Sequence, residues 1–206
     1  MEYTPELLSL LEKKLNGFCT SDKEFAAKHG YGLDVLVNDE NPYVRMAVAE
    51  QGYGLDILLH DKDCRVRAAV ARQGYGLDVL INDPSEVVRW QVAYMGYGLD
   101  TLMYDKDDTV RQQVALWGYG LDVLVHDKDR MTRAAVASCG YGLDVLLRDP
   151  DSYVRGMAES RLEQIAYHAN LSRAASLEDK LAVAKQKSDE VNKSVPRKID
   201  VDKEKG

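Results

Sequence analysis

The pentapeptide Gly-Tyr-Gly-Leu-Asp occurs six times in the chain, starting at Gly30, Gly52, Gly74, Gly96, Gly118 and Gly140, and each copy follows the last by 22 residues without insertion or deletion. A fixed period of about 20–50 residues marks an array whose units pack on their neighbours rather than around one central core. That constraint bears on fold more than on chemistry.

Residues 33–53 show what one unit can form. Leu33, Leu36 and Val37 fall at i, i+3 and i+4 and share one helical face. The stretch before Asn38 and Asp39 has room for about one and a half turns, which predicts a short helix, 3₁₀ in part. Asn41 and its equivalents Asp63, Ser85, Asp107, Asp129 and Asp151 suit the N-cap of a second helix, and Pro42 suits its first position. That helix is expected to run to about Gln51. Val44 and Val48 lie on one of its faces, a pair that recurs through Val110/Val114 and weakens to Thr132/Val136 and Val154/Ala158. The small residues from Ala49 to Ala137 in the next column let neighbouring helices approach closely. Gly52 is expected to close the helix in the left-handed conformation, Tyr53 to pack over the turn, and Gly54 to let the chain bend into the next short helix. The Gly-Tyr-Gly string therefore reads as a corner; it follows a helix, not the strand that a phosphate-binding loop requires.

Two charged columns run through the units: Asp39 to Asp149 and, six residues later in each unit, Arg45 to Arg155. The planar fork of arginine holds two acceptors at once, so the columns predict a ladder of pairs within and between repeats. An arginine strip that binds a ligand is the other reading. A third column, Asp34 to Asp144, sits at the start of each short helix and complements its dipole. Each carboxylate recurs six times, so none reads as a catalytic acid/base pair.

Residues 30–161 carry 21 acidic and 14 basic residues, which accounts for the whole net charge of −7. Such an array repels phosphate backbones and argues against ordinary nucleic-acid binding; solubility alone also accounts for it. No apolar run reaches about 18 residues, so no membrane span is expected, and residues 1–15 lack the basic-then-apolar plan of a secretory signal. Cys19, Cys64 and Cys139 fit no zinc spacing and point to reduced thiols in a cytoplasm. His29, His60, His126 and His168 form no motif, and no Ser/His/Asp set stands out. No cofactor, metal or enzymatic activity is expected.

The spacing of Asp39, Val44 and Arg45, followed by small and apolar residues, is similar to the second-helix signature of HEAT repeats. The short period and the Leu33-x-x-Leu36 helix look more like the leucine-rich variant repeat. The resemblance covers about residues 20–160. It implies an all-α fold: a short right-handed α-solenoid of six 22-residue two-helix repeats with helical caps, presenting an extended surface to a partner. Leucine-rich variant proteins can carry an N-terminal cysteine cluster for iron–sulfur; only Cys19 stands there, so that feature is not carried over. Some HEAT-like proteins are DNA glycosylases with a basic concave face, a charge excess this chain lacks.

The expected organisation is capping helices over residues 1–29, the array over 30–161, a helical cap over 162–192 and a flexible tail over 193–206. Tyr3 to Leu15 reads as a helix, and Ser21 to Glu24 as a capping box that opens a degenerate half-repeat. Ser160 to Leu171 continues the sixth long helix, with a new helix start at Ser176 and Asp179.

Specificity is expected in the columns that vary. Both tryptophans fall in such columns of the central repeats. Val87, Trp90 and Tyr94 share a face at i, i+3 and i+7, with Met95 after them and Leu116 and Trp117 one repeat on. Neighbouring helices lie roughly 8–10 Å apart, so these six residues either fill gaps between repeats or form one binding patch of hot-spot residue types. The leading expectation is a non-enzymatic scaffold with a protein partner, self-association being possible. The alternatives are an acidic inhibitor or nucleic-acid mimic seated in a basic groove and, remotely, a HEAT-like DNA-repair glycosylase.

Overall fold

The structure, a computed structural model, describes residue 17 and residues 19–194. Among them every regular element is helical. A first helix, α1 (Thr20–Lys28), precedes an alternation of four-residue and longer helices. These are α2 (Leu33–Leu36), α3 (Pro42–Glu50), α4 (Leu55–Leu58), α5 (Cys64–Arg72), α6 (Leu77–Leu80) and α7 (Glu86–Tyr94). They continue as α8 (Leu99–Leu102), α9 (Asp108–Leu116), α10 (Leu121–Leu124), α11 (Arg130–Cys139), α12 (Leu143–Leu146) and α13 (Ser152–Ser194). The chain divides into two compact units, one ending at Glu159 and one beginning at Ser160.

In the first unit each long helix from α1 to α9 packs on the next long helix in the chain. The columns read from sequence explain why. Val44 and Val48, and their counterparts down to Val154 and Ala158, are fully buried, as are Ala49 to Ala137 and Leu36 to Leu146. Burying one Val or Leu side chain contributes about 1.5–3 kcal/mol, and these columns supply three in each of the first four repeats and two in each of the last two. The alanines let the backbones close up. Asn41, Asp63, Asp107 and Asp129 cap their helices by accepting a backbone N–H two residues on, whereas Ser85 occupies the same place without that bond.

The corner is a Schellman closure followed by a second special residue. Gly52, at φ +72°, donates its N–H to the carbonyl of Ala49, and Tyr53 donates to the carbonyl of Val48. Gly54 then serves as N-cap of α4, again left-handed. A Cβ on Gly54 would stand 2.6 Å from Cγ2 of Val37, so this glycine also lets one corner sit directly on the end of the preceding short helix. The same contact recurs between Gly76 and Leu59 and between Gly142 and Val125.

Several expectations are corrected. Tyr53 and its five counterparts, expected to pack over the turn, are 41–69 % exposed, and the N–H groups of all but Tyr75 close the preceding helix. The half-repeat helix starts at Thr20 with Cys19 as N-cap, so Ser21 lies inside it, its Oγ 2.9 Å from the Cys19 Sγ. No helix starts at Ser176: α13 is continuous from Ser152 to Ser194. In the second unit, Leu162, Ile165, Leu171, Leu177 and Leu181 are exposed. The helix expected over Tyr3 to Leu15 and the tail beyond Ser194 lie outside the described residues.

Candidate functional site

The arginine ladder fixes one repeat on the next and so positions everything the long helices display. Arg89 donates Nε and Nη2 to both carboxylate oxygens of Asp105, at 2.7 and 2.9 Å, and Nη1 to the carbonyls of Asp83 and Pro84. It thus ties the loop of its own repeat to the aspartate of the next. The same two-pronged rung joins Arg45 to Asp61, Arg67 to Asp83, Arg111 to Asp127 and Arg133 to Asp149. In the half-repeat α1, Lys23 takes the arginine's place and pairs with Asp39 at 2.9 Å. Each of these aspartates also accepts a backbone N–H two residues on, as Asp105 does from Asp107. Burial alone would push the Asp105 carboxyl up, but the Arg89 hydrogen bonds, the Asp107 N–H and the nearby positive charge hold it below the ordinary aspartate range. The Arg133 bonds hold Asp149 down in the same way. This is the structural ladder, and it leaves no arginine strip for a ligand.

Outward from that frame, the long helices carry the variable columns, and their character changes along the array. On α3 and α5 the face is polar and paired with itself. The Arg65 guanidinium lies over the Tyr43 ring, 4.6 Å from its centroid, and donates to the Tyr43 hydroxyl and to Asp63. The hydrogen bonds from Arg65 hold the Asp63 carboxyl down at about 2. Arg72 reaches Glu50 at 3.3 Å, and Gln73 donates to the Glu50 carbonyl.

On α7 the same columns hold Val87, Trp90, Tyr94 and Met95; on α9 two of them turn polar at Thr109 and Gln112, and the other two hold Leu116 and Trp117. Val87, Tyr94, Met95, Leu116 and Trp117 are exposed, by 37–53 %, whereas Trp90 is half-buried against the core. Trp90 and Tyr94 stack, with centroids 5.4 Å apart and planes 22° from parallel. The Trp117 ring leans back over the end of α7, within 3.4 Å of where a Cβ on Gly96 would stand. The six residues singled out from sequence therefore lie on two adjacent helices. Trp90 packs on the core on one side and on Tyr94 on the other, and Trp117 packs over the preceding corner while half of it stays exposed. Beneath them Gln91 is buried with its Nε2 unpartnered, in a column that holds Ala47 and Ala69 in earlier repeats.

Sequence reasoning missed two features. The tyrosines from Tyr31 to Tyr141 form an exposed row, and the Asp34 to Asp144 column forms no hydrogen bond or ion pair among the described residues. Their invariance beside varying exposed columns was the available signal. Among the described residues, no three His, Cys, Asp or Glu side chains converge as a metal site requires, and no helix is long and apolar enough to cross a membrane. No protein-family model, curated protein or solved structure matches the chain.

Proposed function

We propose that the chain is a six-repeat right-handed α-solenoid of the HEAT-like and leucine-rich-variant-like kind, and that it acts without catalysis as a cytoplasmic protein-interaction scaffold. Its partner site is the face formed by Val87, Trp90, Tyr94, Met95, Leu116 and Trp117. The observation that carries this reading is the absence of any polar pairing there, where the same columns one repeat earlier are tied up by Arg65, Arg72 and Glu50. Exposed aromatic and Met side chains set in a polar surface are the residue types on which protein partners concentrate binding energy.

Trp90 and Trp117 are the only tryptophans of the chain, so its indole fluorescence reads this face alone. Cross-linked capture should recover a partner with the wild type and lose it with Trp90→Ala/Trp117→Ala, and addition of that partner should blue-shift the wild-type emission. Unchanged recovery with the double variant sinks the site. A concentration-dependent blue shift in the isolated protein, with a dimer in sedimentation, assigns the face to self-association instead.

A further inference from the structure

We propose that the corner edge of the repeats binds a basic polyproline-II segment carrying Lys or Arg at every third residue. The edge presents the same residues in every repeat: the tyrosine of the corner, then the aspartate and a β-branched residue of the four-residue helix. Tyr53, Asp56 and Ile57 are one such set, all exposed. From the second repeat to the sixth the tyrosine, the aspartate and the third residue are exposed every time.

Packing does not explain this constancy. Exposed columns on the long helices change freely, from Tyr43 to Arg65 to Val87, while the exposed tyrosine and aspartate never change. Backbone needs account for the two glycines and the buried leucine, and the aspartate sits in the first turn of each four-residue helix, but neither accounts for a phenol ring repeated at the surface. The other aspartate columns are consumed, one by the arginine rungs and one by helix capping. The Asp56 to Asp144 row alone keeps its charge unpaired. In each repeat an exposed anion stands three residues after an exposed aromatic ring, a pairing complementary to cations on a hydrophobic stem: the carboxylate takes the charge and the ring takes the cation and its alkyl chain.

The pitch decides which cationic partner fits. Each corner rests on the short helix before it, through Gly54 on Val37 and Gly76 on Leu59, so the sets follow one another in a continuous line. Packed helices repeat at about 8–10 Å. A polyproline-II chain advances ~3.1 Å per residue with three residues per turn, or ~9.3 Å between residues on one side, and aromatic-lined grooves are its usual seat. Mimicry of a nucleic acid does not fit, because each strand of a duplex carries a charge every ~3.4 Å of helix axis, far denser than one carboxylate per repeat. The Trp117 ring reaches the corner at Gly96, but the inference uses invariant rows rather than variable columns, so it stands without the scaffold site.

The test uses the full chain and three labelled peptides with five arginines each, Pro-Arg, Pro-Pro-Arg and Pro-Pro-Pro-Arg repeats, in fluorescence anisotropy at physiological salt. The Pro-Pro-Arg peptide should bind at least tenfold more tightly than the other two. Asp78→Asn/Asp100→Asn/Asp122→Asn and Tyr75→Ala/Tyr97→Ala/Tyr119→Ala should each weaken it at least tenfold, with thermal unfolding confirming that both variants fold. Trp90→Ala should leave it within twofold. Equal affinity for the three spacings, no binding of Pro-Pro-Arg, or full binding by the Asp→Asn variant overturns the proposal. The spacing comparison needs only the wild type, so a variant that fails to fold does not rescue the idea.

Discussion

The faces of α3–α5 and of α7–α9 occupy the same columns on the same frame, yet one ties its charges to its own side chains and the other, apart from Thr109 and Gln112, is apolar or aromatic. Arg65 is held by Tyr43 and Asp63, and Arg72 by Glu50. Val87, Leu116 and Trp117 have no such partners and face solvent. The frame beneath does not differ: the Arg45–Asp61 and Arg89–Asp105 rungs have matching geometry to within about a tenth of an ångström. The rungs and the outward columns are therefore separate sets of residues, with Trp90 alone both packed on the core and part of the proposed partner face, so the frame and that face can be perturbed separately.

The largest effect should come from acid, which attacks the Arg89–Asp105, Arg111–Asp127 and Arg133–Asp149 rungs together. Asp105, Asp127 and Asp149 have carboxyls held below their ordinary value in the folded state. Their stabilisation is fully present above the unfolded value, about 3.9, and is lost as pH falls below it through the folded value. Circular dichroism should show helix loss setting in below about pH 4; unchanged helix content well below that pH would break the claim that these three rungs hold the array.

Next come single rungs. Arg45→Ala and Arg89→Ala should each cost about 3–5 kcal/mol, because each leaves a buried carboxylate unpaired. Denaturant unfolding should give similar losses for the two, whereas Arg65→Ala, on the exposed face, should unfold with the wild type.

A smaller contrast lies within one corner. Gly76→Ala should cost about 3 kcal/mol, from its left-handed backbone and the overlap with Leu59. Gly74→Ala meets no neighbouring atom and should cost about 1–2 kcal/mol from the backbone alone. Equal costs would mean that the corners do not rest on one another.

The smallest effect should be a gain. Gln91→Met removes a buried unpartnered amide while keeping its volume, and should stabilise by about 1 kcal/mol, raising Tm by roughly 2–4 °C. No gain would show that the amide has a partner beneath the aromatic face.

Much of the frame is legible in the sequence because it is written six times. The Val44/Val48 and Ala49 columns, the caps at Asn41 and Asp63 and the helix stop at Gly52 all follow from local periodicity and turn chemistry. What periodicity does not carry is the phase between repeats. Columns place Asp39 six residues before Arg45, but the arginine takes only a carbonyl there and finds its carboxylate 16 residues on, at Asp61. The contact of Gly54 with Val37 is hidden for the same reason, since it joins two repeats. The exposure of the tyrosines is hidden because a large ring beside two glycines resembles a turn packer. Of the candidate site, the residue identities and shared face were readable; which of them support the core, as Trp90 does, depends on packing against the neighbouring helix.

The rungs join each repeat to the one after it and to nothing further away. Arg155 makes the two carbonyl bonds of its kind, and the position 16 residues on is Leu171, so the series stops with an open fork. A 22-residue copy spliced in at any corner would find its arginine and its aspartate already matched by the flanking copies, whereas an insertion of any other length would mismatch a rung. The molecule is thus modular in whole units: it can lengthen or shorten by one tile and remain the same object, so the frame sets the step, not the number of steps.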